Sequence, residues 1–235
     1  MNGRIAIVTG ASSGIGEAAA RKFVANGIRV VGNARNAEKL KALEKELGPS
    51  FCGIAGDASD FSLLDELFDV ANAGRGLGGS VKDADLSRFE EILRLNVTGT
   101  LALLQKAAKR LLEGIDYPNK AADIVILGSV VGRHISPFSA VYGSTKFAVH
   151  SLAEGLRREV GPLGVRVSLV EPGVVVSGFQ EGAGYGDDMV KQFDERFGPL
   201  LYGEDIAEAI HFVVNQPPHV HISDIMVRPT RQDYP

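Results

Sequence analysis

The segment that decides the fold is IAIVTGASSGIG, residues 5–16. Its first four residues are apolar and have the length of a buried strand, and glycines follow at positions 10, 14 and 16. Glycines at these positions allow a tight turn, a close approach of the backbone to phosphate, and close packing of the next helix. That helix, predicted from Gly14 to Asn26, would point its N-terminal amides at the pyrophosphate of a dinucleotide. The residues predicted to contact a cofactor here are Gly10, Ser12, Ser13, Gly14, Ile15 and Gly16.

Apolar strands and amphipathic helices alternate along the rest of the chain. Further strands are predicted at residues 29–34, 51–55, 124–128, 165–170 and 223–227, and helices at 37–47, 141–160 and 203–215. Another helix, which Ser87 can cap, is predicted to carry Asn96 among core-facing apolar residues. This alternation predicts one α/β domain over residues 1–235, with a doubly wound parallel sheet of the Rossmann type.

Composition and charge narrow the range of partners. The chain has 235 residues, of which 45% are hydrophobic, and a formal net charge of −4 without a Lys- or Arg-rich run. These values predict a full hydrophobic core and argue against nucleic acid or an anionic membrane as a partner. The single cysteine, Cys52, excludes an internal disulfide, and no apolar run approaches the roughly 18 residues of a membrane span. We therefore expect a cytoplasmic protein, and the five scattered histidines show no metal-ligand spacing.

The exit of the second strand bears on the choice of cofactor. The acidic residue that binds the ribose 2′-hydroxyl of NAD is expected about 20 residues after the glycine turn, where Ala34 stands. Without a carboxylate here nothing repels a 2′-phosphate, and the neighbouring Arg35 offers a planar guanidinium that suits one. Ala34 and Arg35 therefore predict NADP or NADPH as the cofactor.

A tyrosine and a lysine four residues apart form a candidate acid–base pair. Tyr142 and Lys146 face the same way on the predicted helix, because four residues are slightly more than one helical turn. A nearby lysine cation favours the phenolate and lowers the tyrosine pKa from its usual value of about 10, which suits proton transfer at a reacting oxygen. The pair alone is a weak motif. It gains weight from Ser129, which follows a buried strand directly, where open α/β sheets bind ligands.

Together, Asn96, Ser129, Tyr142, Lys146 and the glycine turn resemble the active site of the short-chain dehydrogenase/reductase family. The resemblance covers nearly the whole chain and implies hydride transfer between a nicotinamide cofactor and a carbonyl/alcohol substrate, such as a ketone or hydroxy acid. It implies that Tyr142 donates the proton and that Ser129 binds the reacting oxygen. It also implies that Lys146 holds the nicotinamide ribose and that Asn96 orders a relay water. The run Arg-Pro-Thr-Arg-Gln at 228–232 resembles the ending of the NADP-dependent 3-hydroxy acid dehydrogenases in this family.

The same resemblance implies further contacts with the cofactor and the substrate. On the cofactor these are Asp57, Asn72, Ala73, Gly74, Pro172, Gly173, Val175 and Ser177. On the substrate they are Ser129, Val131, His134, Phe138, Tyr142 and Phe179. Residues 179–201 resemble a substrate lid, with a short helix from Asp187 to Phe197. Because members commonly pair the catalytic helix and its predecessor, and this catalytic helix is apolar around much of its surface, we expect a homo-oligomer, a tetramer.

One segment departs from the family pattern. Only fourteen residues separate Asp57 from Asn72, fewer than the family leads us to expect. A parallel crossover needs roughly ten to twelve residues, so a short helix at 61–67 and a strand at 68–71 can still complete it.

Two other functions remain open. Residues 10–14 also satisfy G-x-S-x-G, the nucleophile elbow of serine hydrolases, with Ser12 as the nucleophile. That reading needs a histidine partner from His211, His219 or His221, and an oxyanion hole from a loop after an earlier strand, whereas only one strand precedes Ser12. The other alternative is a catalytically silent NADP-binding regulator of the same fold, against which the complete set of four active-site residues argues.

Overall fold

Strands and helices alternate through the part of the chain that the computed structural model describes, residues 4–58, 81–83, 85–135, 139–177 and 187–234. The first sheet contains β1 (Ile5–Thr9), β2 (Arg29–Ala34) and β3 (Phe51–Ala55). Helices α1 (Gly14–Ala25) and α2 (Ala37–Leu47) form its two connections. Because β2 pairs in parallel with both β1 and β3, the three strands end at the same edge of the sheet.

The second sheet is built from the remaining described strands. Its elements in chain order are α3 (Leu86–Leu93), α4 (Thr100–Glu113), β4 (Ala122–Leu127), α5 (Ala140–Val160), β5 (Val165–Pro172), α6 (Asp187–Phe197), α7 (Gly203–Val214) and β6 (Asp224–Val227). β5 pairs in parallel with both β4 and β6, and all eight of its residues are buried. The alternation and the parallel pairing confirm the predicted α/β fold of the Rossmann type. No helix in these described ranges is long and apolar enough to cross a membrane.

A cavity of about 530 Å³ lies between the two sheets. Its walls include residues 4–8, at the edge of the first sheet, and Ala122, Asp123, Val125 and Leu127 of β4. Within the described residues no strand pairing joins the two sheets.

The predicted helix and strand at residues 61–71 lie outside the described part of the chain.

Helix α7 packs directly on the glycine turn. A Cβ at Gly203 would lie 2.9 Å from the carbonyl oxygen of Gly14 and 3.2 Å from the Cβ of Ala18. Ala18, Ala19 and Ala20 are all buried, so small residues separate the first turns of α1 from its neighbours. This close packing positions the start of α1 against the sheet, as the spacing of the glycines predicts.

The helix with Ser87 as its predicted cap has a different cap and is followed by an irregular turn. Asp85 caps α3, because its carboxylate accepts the amide hydrogens of Ser87 and Arg88 at 3.0 and 3.4 Å. The prediction that Ser87 is the cap is therefore wrong, since Asp85 offers a carboxylate two residues earlier and takes the Ser87 hydroxyl as well, at 2.7 Å. Between α3 and α4 the backbone widens into a π turn at Arg94–Gly99, which contains Asn96. π turns are rare and frequently occur at functional sites.

Candidate active site

The four predicted catalytic residues come from three neighbouring elements. Ser129 is the second residue after β4, Tyr142 and Lys146 lie in the first two turns of α5, and Asn96 lies in the π turn. Tyr142, Lys146 and Asn96 are buried, and Ser129 is half-buried. The structure therefore brings together residues that are up to 50 positions apart, at the carboxyl end of β4.

The loop that carries Ser129 is in direct contact with α5. Tyr142 packs with Val130 and Val131 in one apolar cluster. Gly143 allows the close approach, because a Cβ there would lie 3.2 Å from the carbonyl oxygen of Val131. Ser129 starts a short 3-10 turn at Val130–Gly132, and its Oγ accepts the amide hydrogen of Val131 at 3.4 Å. The Ser129 hydroxyl hydrogen can then point away from its own loop.

Lys146 places a cation in a buried position beside the tyrosine ring. The residue is 7% exposed, and its Nζ lies 5.8 Å from the centroid of the Tyr142 ring. The Nζ group donates a hydrogen bond to the carbonyl oxygen of Leu127 at 2.8 Å. Burial lowers the lysine pKa to about 8, because water solvates the cation poorly there. The lysine is thus held by the end of β4 and titrates much closer to neutrality than an exposed lysine.

Asn96 is linked to α5 through a threonine that the sequence analysis missed. Its Nδ2 donates to Thr145 Oγ1 at 3.1 Å, and Thr145 Oγ1 donates to the carbonyl oxygen of Tyr142 at 2.8 Å. Asn96 and Thr145 are 1% and 0% exposed, so these contacts supply partners that buried polar groups need. The π turn therefore attaches to α5 next to the tyrosine.

Three charged or titratable side chains behind Ser129 were also missed. His150 Nε2 accepts the Ser129 amide hydrogen at 3.3 Å, and His150 Nδ1 lies 3.8 Å from Glu171 Oε2. Arg133 binds Glu171 through two hydrogen bonds of 2.5 and 2.7 Å and reaches Asp224 at 2.7 Å. A signal available in the sequence is the position of His150, four residues beyond Lys146 and thus on the same face of α5.

The glycine turn has the backbone geometry that a phosphate site requires. Gly10 and Gly14 have φ angles of +70° and +54°, which other residues seldom adopt. The Ala11 amide donates to the carbonyl oxygen of Asn33 at 3.0 Å, which fixes the turn to the end of β2. Ser13, the N-cap of α1, makes no side-chain capping hydrogen bond within the described residues. The first amides of α1 can therefore bind an anion, and the turn fits the pyrophosphate of a nicotinamide dinucleotide.

The residues that are predicted to select the cofactor lie at the exits of β2 and β3. Ala34 is 5% exposed, and its carbonyl oxygen accepts the Gly56 amide hydrogen at 3.0 Å. Arg35 is exposed, and no carboxylate in the described ranges pairs with its guanidinium. Asp57 is exposed two residues after β3. At this edge of the sheet the described residues thus present the exposed guanidinium of Arg35, and the neighbouring Ala34 carries no carboxylate.

The predicted nicotinamide-side residues lie on the loop that follows β5. Pro172 ends β5, and the Gly173 amide donates to the carbonyl oxygen of Val227 at 2.7 Å. Ser177 comes close to the glycine turn, because a Cβ on Gly14 would lie 3.3 Å from the Ser177 Cβ. The adjacent Val175 is buried and forms a parallel bridge with Leu201. The glycine turn and the loop after β5, both predicted to contact the cofactor, therefore lie next to each other.

A C-terminal glutamine that the sequence analysis did not single out holds the same loop. Gln232 is buried, and its Oε1 accepts the Val174 amide hydrogen at 3.0 Å. A Cβ at Gly173 would overlap the Gln232 side chain, so glycine is required for this contact.

The predicted substrate residues are only partly described. Val131 is buried against Tyr142, and His134 is exposed two residues after the 3-10 turn. Phe138 and Phe179 lie outside the described residues, as do Asn72, Ala73 and Gly74. In the predicted lid, residues 179–186 are likewise outside them, whereas α6 occupies the predicted range Asp187–Phe197.

The comparison with protein families agrees with this arrangement. The family model of the short chain dehydrogenases matches residues 4–186. The chain belongs to the short-chain dehydrogenase family. The matched range includes the glycine turn and all four predicted catalytic residues of this dehydrogenase. Membership also favours a nucleotide-binding role for residues 10–14 over the nucleophile elbow of a hydrolase, and His221, one of the histidines which that alternative needs, contacts the carbonyl oxygen of Val167 at 2.9 Å.

Relatives of this dehydrogenase match it along its whole length. An uncharacterized oxidoreductase of Staphylococcus aureus strain MW2 is 31% identical over 239 residues, covering 96% of this chain and 97% of that protein. The closed form of serine dehydrogenase complexed with NADP⁺ superposes with a TM-score of 0.88 at 29% identity, covering 98% of this chain and 96% of that one. Serine dehydrogenase from Escherichia coli gives a TM-score of 0.82 at 28% identity, covering 98% and 100%. This dehydrogenase is thus an oxidoreductase with a nicotinamide-binding fold.

Proposed function

We propose that this chain transfers hydride between NADP(H) and a carbonyl/alcohol substrate, with Tyr142 as the acid. The observation that carries the proposal is the meeting of Tyr142, buried Lys146 and Ser129 at the carboxyl end of β4. A hydroxyl, a phenol and a cation on adjoining elements can bind and protonate one oxygen.

The proposed roles follow from the contacts of each side chain. In the direction of reduction, Tyr142 gives its hydroxyl proton to the carbonyl oxygen, and Ser129 donates a hydrogen bond to that oxygen. Lys146 stabilises the phenolate that remains and binds the nicotinamide ribose. Asn96, attached to α5 through Thr145, orders the water that returns a proton to the site. The nicotinamide cofactor, when bound, supplies the hydride that reaches the carbonyl carbon.

NADP(H) is the cofactor we propose because of the charge at the exit of β2. Exposed Arg35 can bind a 2′-phosphate with two hydrogen bonds, and Ala34 brings no carboxylate against it. The relative described as serine dehydrogenase was solved in complex with NADP⁺, which supports the same choice. The proposed site further includes the glycine turn, Asp57, residues 72–74 and the loop from Pro172 to Ser177.

A 3-hydroxy acid is the substrate class we propose. The ending Arg-Pro-Thr-Arg-Gln at 228–232 first indicated this class. Two structural relatives are described as serine dehydrogenases, and serine carries its hydroxyl on the carbon next to the α-carbon, as a 3-hydroxy acid does. The sequence of the C-terminal segment and the structural relatives therefore favour the same position of the hydroxyl group relative to the carboxylate.

The function can be tested by following NADPH absorbance against matched substrates. Oxidation assays would compare 3-hydroxybutyrate and L- and D-serine with 2-hydroxybutyrate and a simple secondary alcohol, and reduction assays would use a panel of ketones. We expect NADP⁺-dependent oxidation of at least one 3-hydroxy acid, faster than that of its 2-hydroxy isomer.

Each contrary result has a separate meaning. Turnover of simple alcohols alone would contradict the 3-hydroxy acid as substrate class but would still agree with an oxidoreductase. NADPH binding without turnover of any substrate would contradict the proposal that the chain is an enzyme, and would favour the catalytically silent NADP-binding regulator.

We further propose that the chain forms a homotetramer. Leu101 on α4 and Phe147 on α5 are 50% and 40% exposed, so these helices leave apolar side chains uncovered. Light scattering at micromolar concentration should give the mass of four chains, and Phe147→Asp should give a smaller species. Leu163→Asp, which changes a more exposed residue beyond the end of α5, should leave the mass unchanged. A monomer mass for the unaltered protein would contradict the proposal.

A further inference from the structure

His150 lies directly behind the predicted catalytic serine. Its imidazole fits between two glycines of the serine loop, because a Cβ at Gly128 or at Gly132 would overlap the ring. The side chain is only 11% exposed. The backbone on both sides of Ser129 is therefore shaped around the imidazole ring.

The hydrogen bond from Ser129 decides the protonation of the ring. The Ser129 amide can only donate, so His150 Nε2, at 3.3 Å, must be unprotonated. The one proton of a neutral imidazole then lies on Nδ1, which faces Glu171 Oε2 at 3.8 Å. This carboxylate favours the Nδ1–H tautomer, and that tautomer leaves Nε2 free to hold the serine backbone.

Burial, with the cations nearby, keeps the ring neutral. Glu171 is almost fully buried, and Arg133 already neutralises it through two hydrogen bonds. The cations of Lys146 and Arg133 oppose a charge on the imidazole, and Asp224 favours one. Burial has the largest effect, and the His150 pKa falls to about 4. Near neutral pH the ring therefore serves as a hydrogen-bond acceptor and not as an acid.

We propose that His150 is the positioning residue for Ser129. Its Nε2 fixes the amide of Ser129, and the ring packs against Gly128 and Gly132 with Nδ1 facing Glu171, so that the Ser129 hydroxyl is aimed at the reacting oxygen. The proposal rests on the proposed carbonyl/alcohol chemistry, in which Ser129 binds that oxygen. Glu171 also immediately precedes Pro172, so the same contacts connect the serine loop with the loop on the nicotinamide side.

Two substitutions of His150 separate the hydrogen bond from the packing. His150→Leu fills much of the volume but accepts no hydrogen bond, whereas His150→Gln can place an amide oxygen near the position of Nε2. We expect His150→Leu to lower kcat by about 5- to 10-fold, the effect of losing one hydrogen bond, while the KM for NADPH stays nearly constant. His150→Gln should restore most of kcat. His221→Leu is the control, because His221 likewise contacts a backbone atom, the carbonyl oxygen of Val167 in β5, but lies away from Ser129.

A second background tests whether the effect acts through the serine. In a Ser129→Ala variant, His150→Leu should produce no further loss of kcat, because the group it positions is gone. The proposal would be overturned if His150→Leu lowered kcat by the same factor with and without Ser129, or if it did not lower kcat in the otherwise unaltered protein.

A readout that needs no turnover keeps this test independent of the proposed function. Hydrogen–deuterium exchange at the Ser129 amide should be faster in His150→Leu than in the wild type. In His150→Gln the exchange rate should return to nearly the wild-type value. Unchanged exchange in His150→Leu would overturn the proposal even in an active enzyme. A wild type without turnover would instead contradict the proposed function, and the exchange rates would still decide whether His150 holds Ser129.

Discussion

Tyr142→Phe should lower kcat by about 10²-fold or more while leaving NADPH binding nearly unchanged. The substitution removes one hydroxyl and keeps the ring that packs against Val130 and Val131, so the site should retain its shape. Without that hydroxyl the site loses the group that we propose as the proton donor, whereas the hydrogen bond from Ser129 to the substrate oxygen remains. The measurements are kcat on the substrate found in the panel and the NADPH Kd from a fluorescence titration.

The matched control for this substitution is Tyr117→Phe. Tyr117 is 48% exposed in the connection between α4 and β4, so losing its hydroxyl should affect neither quantity. Near-normal turnover of Tyr142→Phe would show that another group donates the proton. Loss of NADPH binding along with turnover would show that the hydroxyl acts mainly by holding the cofactor.

The second large effect concerns the choice between NADP and NAD. Arg35→Ala should weaken kcat/KM for NADP by about 10- to 150-fold, the value of one hydrogen bond to a charged group, and barely change that for NAD. Ala34→Asp should reverse the preference, because the new carboxylate binds the 2′-hydroxyl of NAD and repels the phosphate of NADP. The comparison is kcat/KM for both cofactors in the wild type and in each variant.

Ala34 is buried, so the size of the new side chain needs its own control. Ala34→Asn has the same shape as Ala34→Asp without the charge. If Ala34→Asn and Ala34→Asp change the two cofactors alike, bulk and not charge is responsible. A wild type that prefers NAD would contradict the assignment of Arg35, whose exposed guanidinium would then only be solvated.

The fold was predictable because its signals are local. Each strand is a short segment rich in apolar residues, and the glycines of residues 10–16 mark the first turn without reference to any distant residue. Boundaries were less certain where two residues compete for one role. Asp85 caps α3 in place of Ser87 because a carboxylate also accepts two amide hydrogens and holds the Ser87 hydroxyl.

The surroundings of Ser129 could not be predicted in the same way. Arg133 and Glu171 are 38 positions apart, and Ser129 and His150 are 21 apart. No periodicity links such pairs, since their contact depends on how α5 packs against the ends of β4 and β5. Besides the position of His150 on the same face of α5 as Lys146, the other clue was indirect: glycines stand at 128 and 132, and the sequence alone does not connect them with a ring at 150.

The π turn at Arg94–Gly99 makes the length of this segment a constraint in its own right. Each residue of an α-helix advances the chain by about 100°, so one residue more or less rotates everything beyond it. Deleting a single residue from the turn would turn the buried side of α4, which carries Leu103 and Ala107, away from its partners while Ile92 on α3 stayed in place. The wider π turn holds one residue more than an α-helical turn would, and this residue sets the rotation of α4 relative to α3. Substitutions on the exposed side of the turn should therefore be far better tolerated than any shortening.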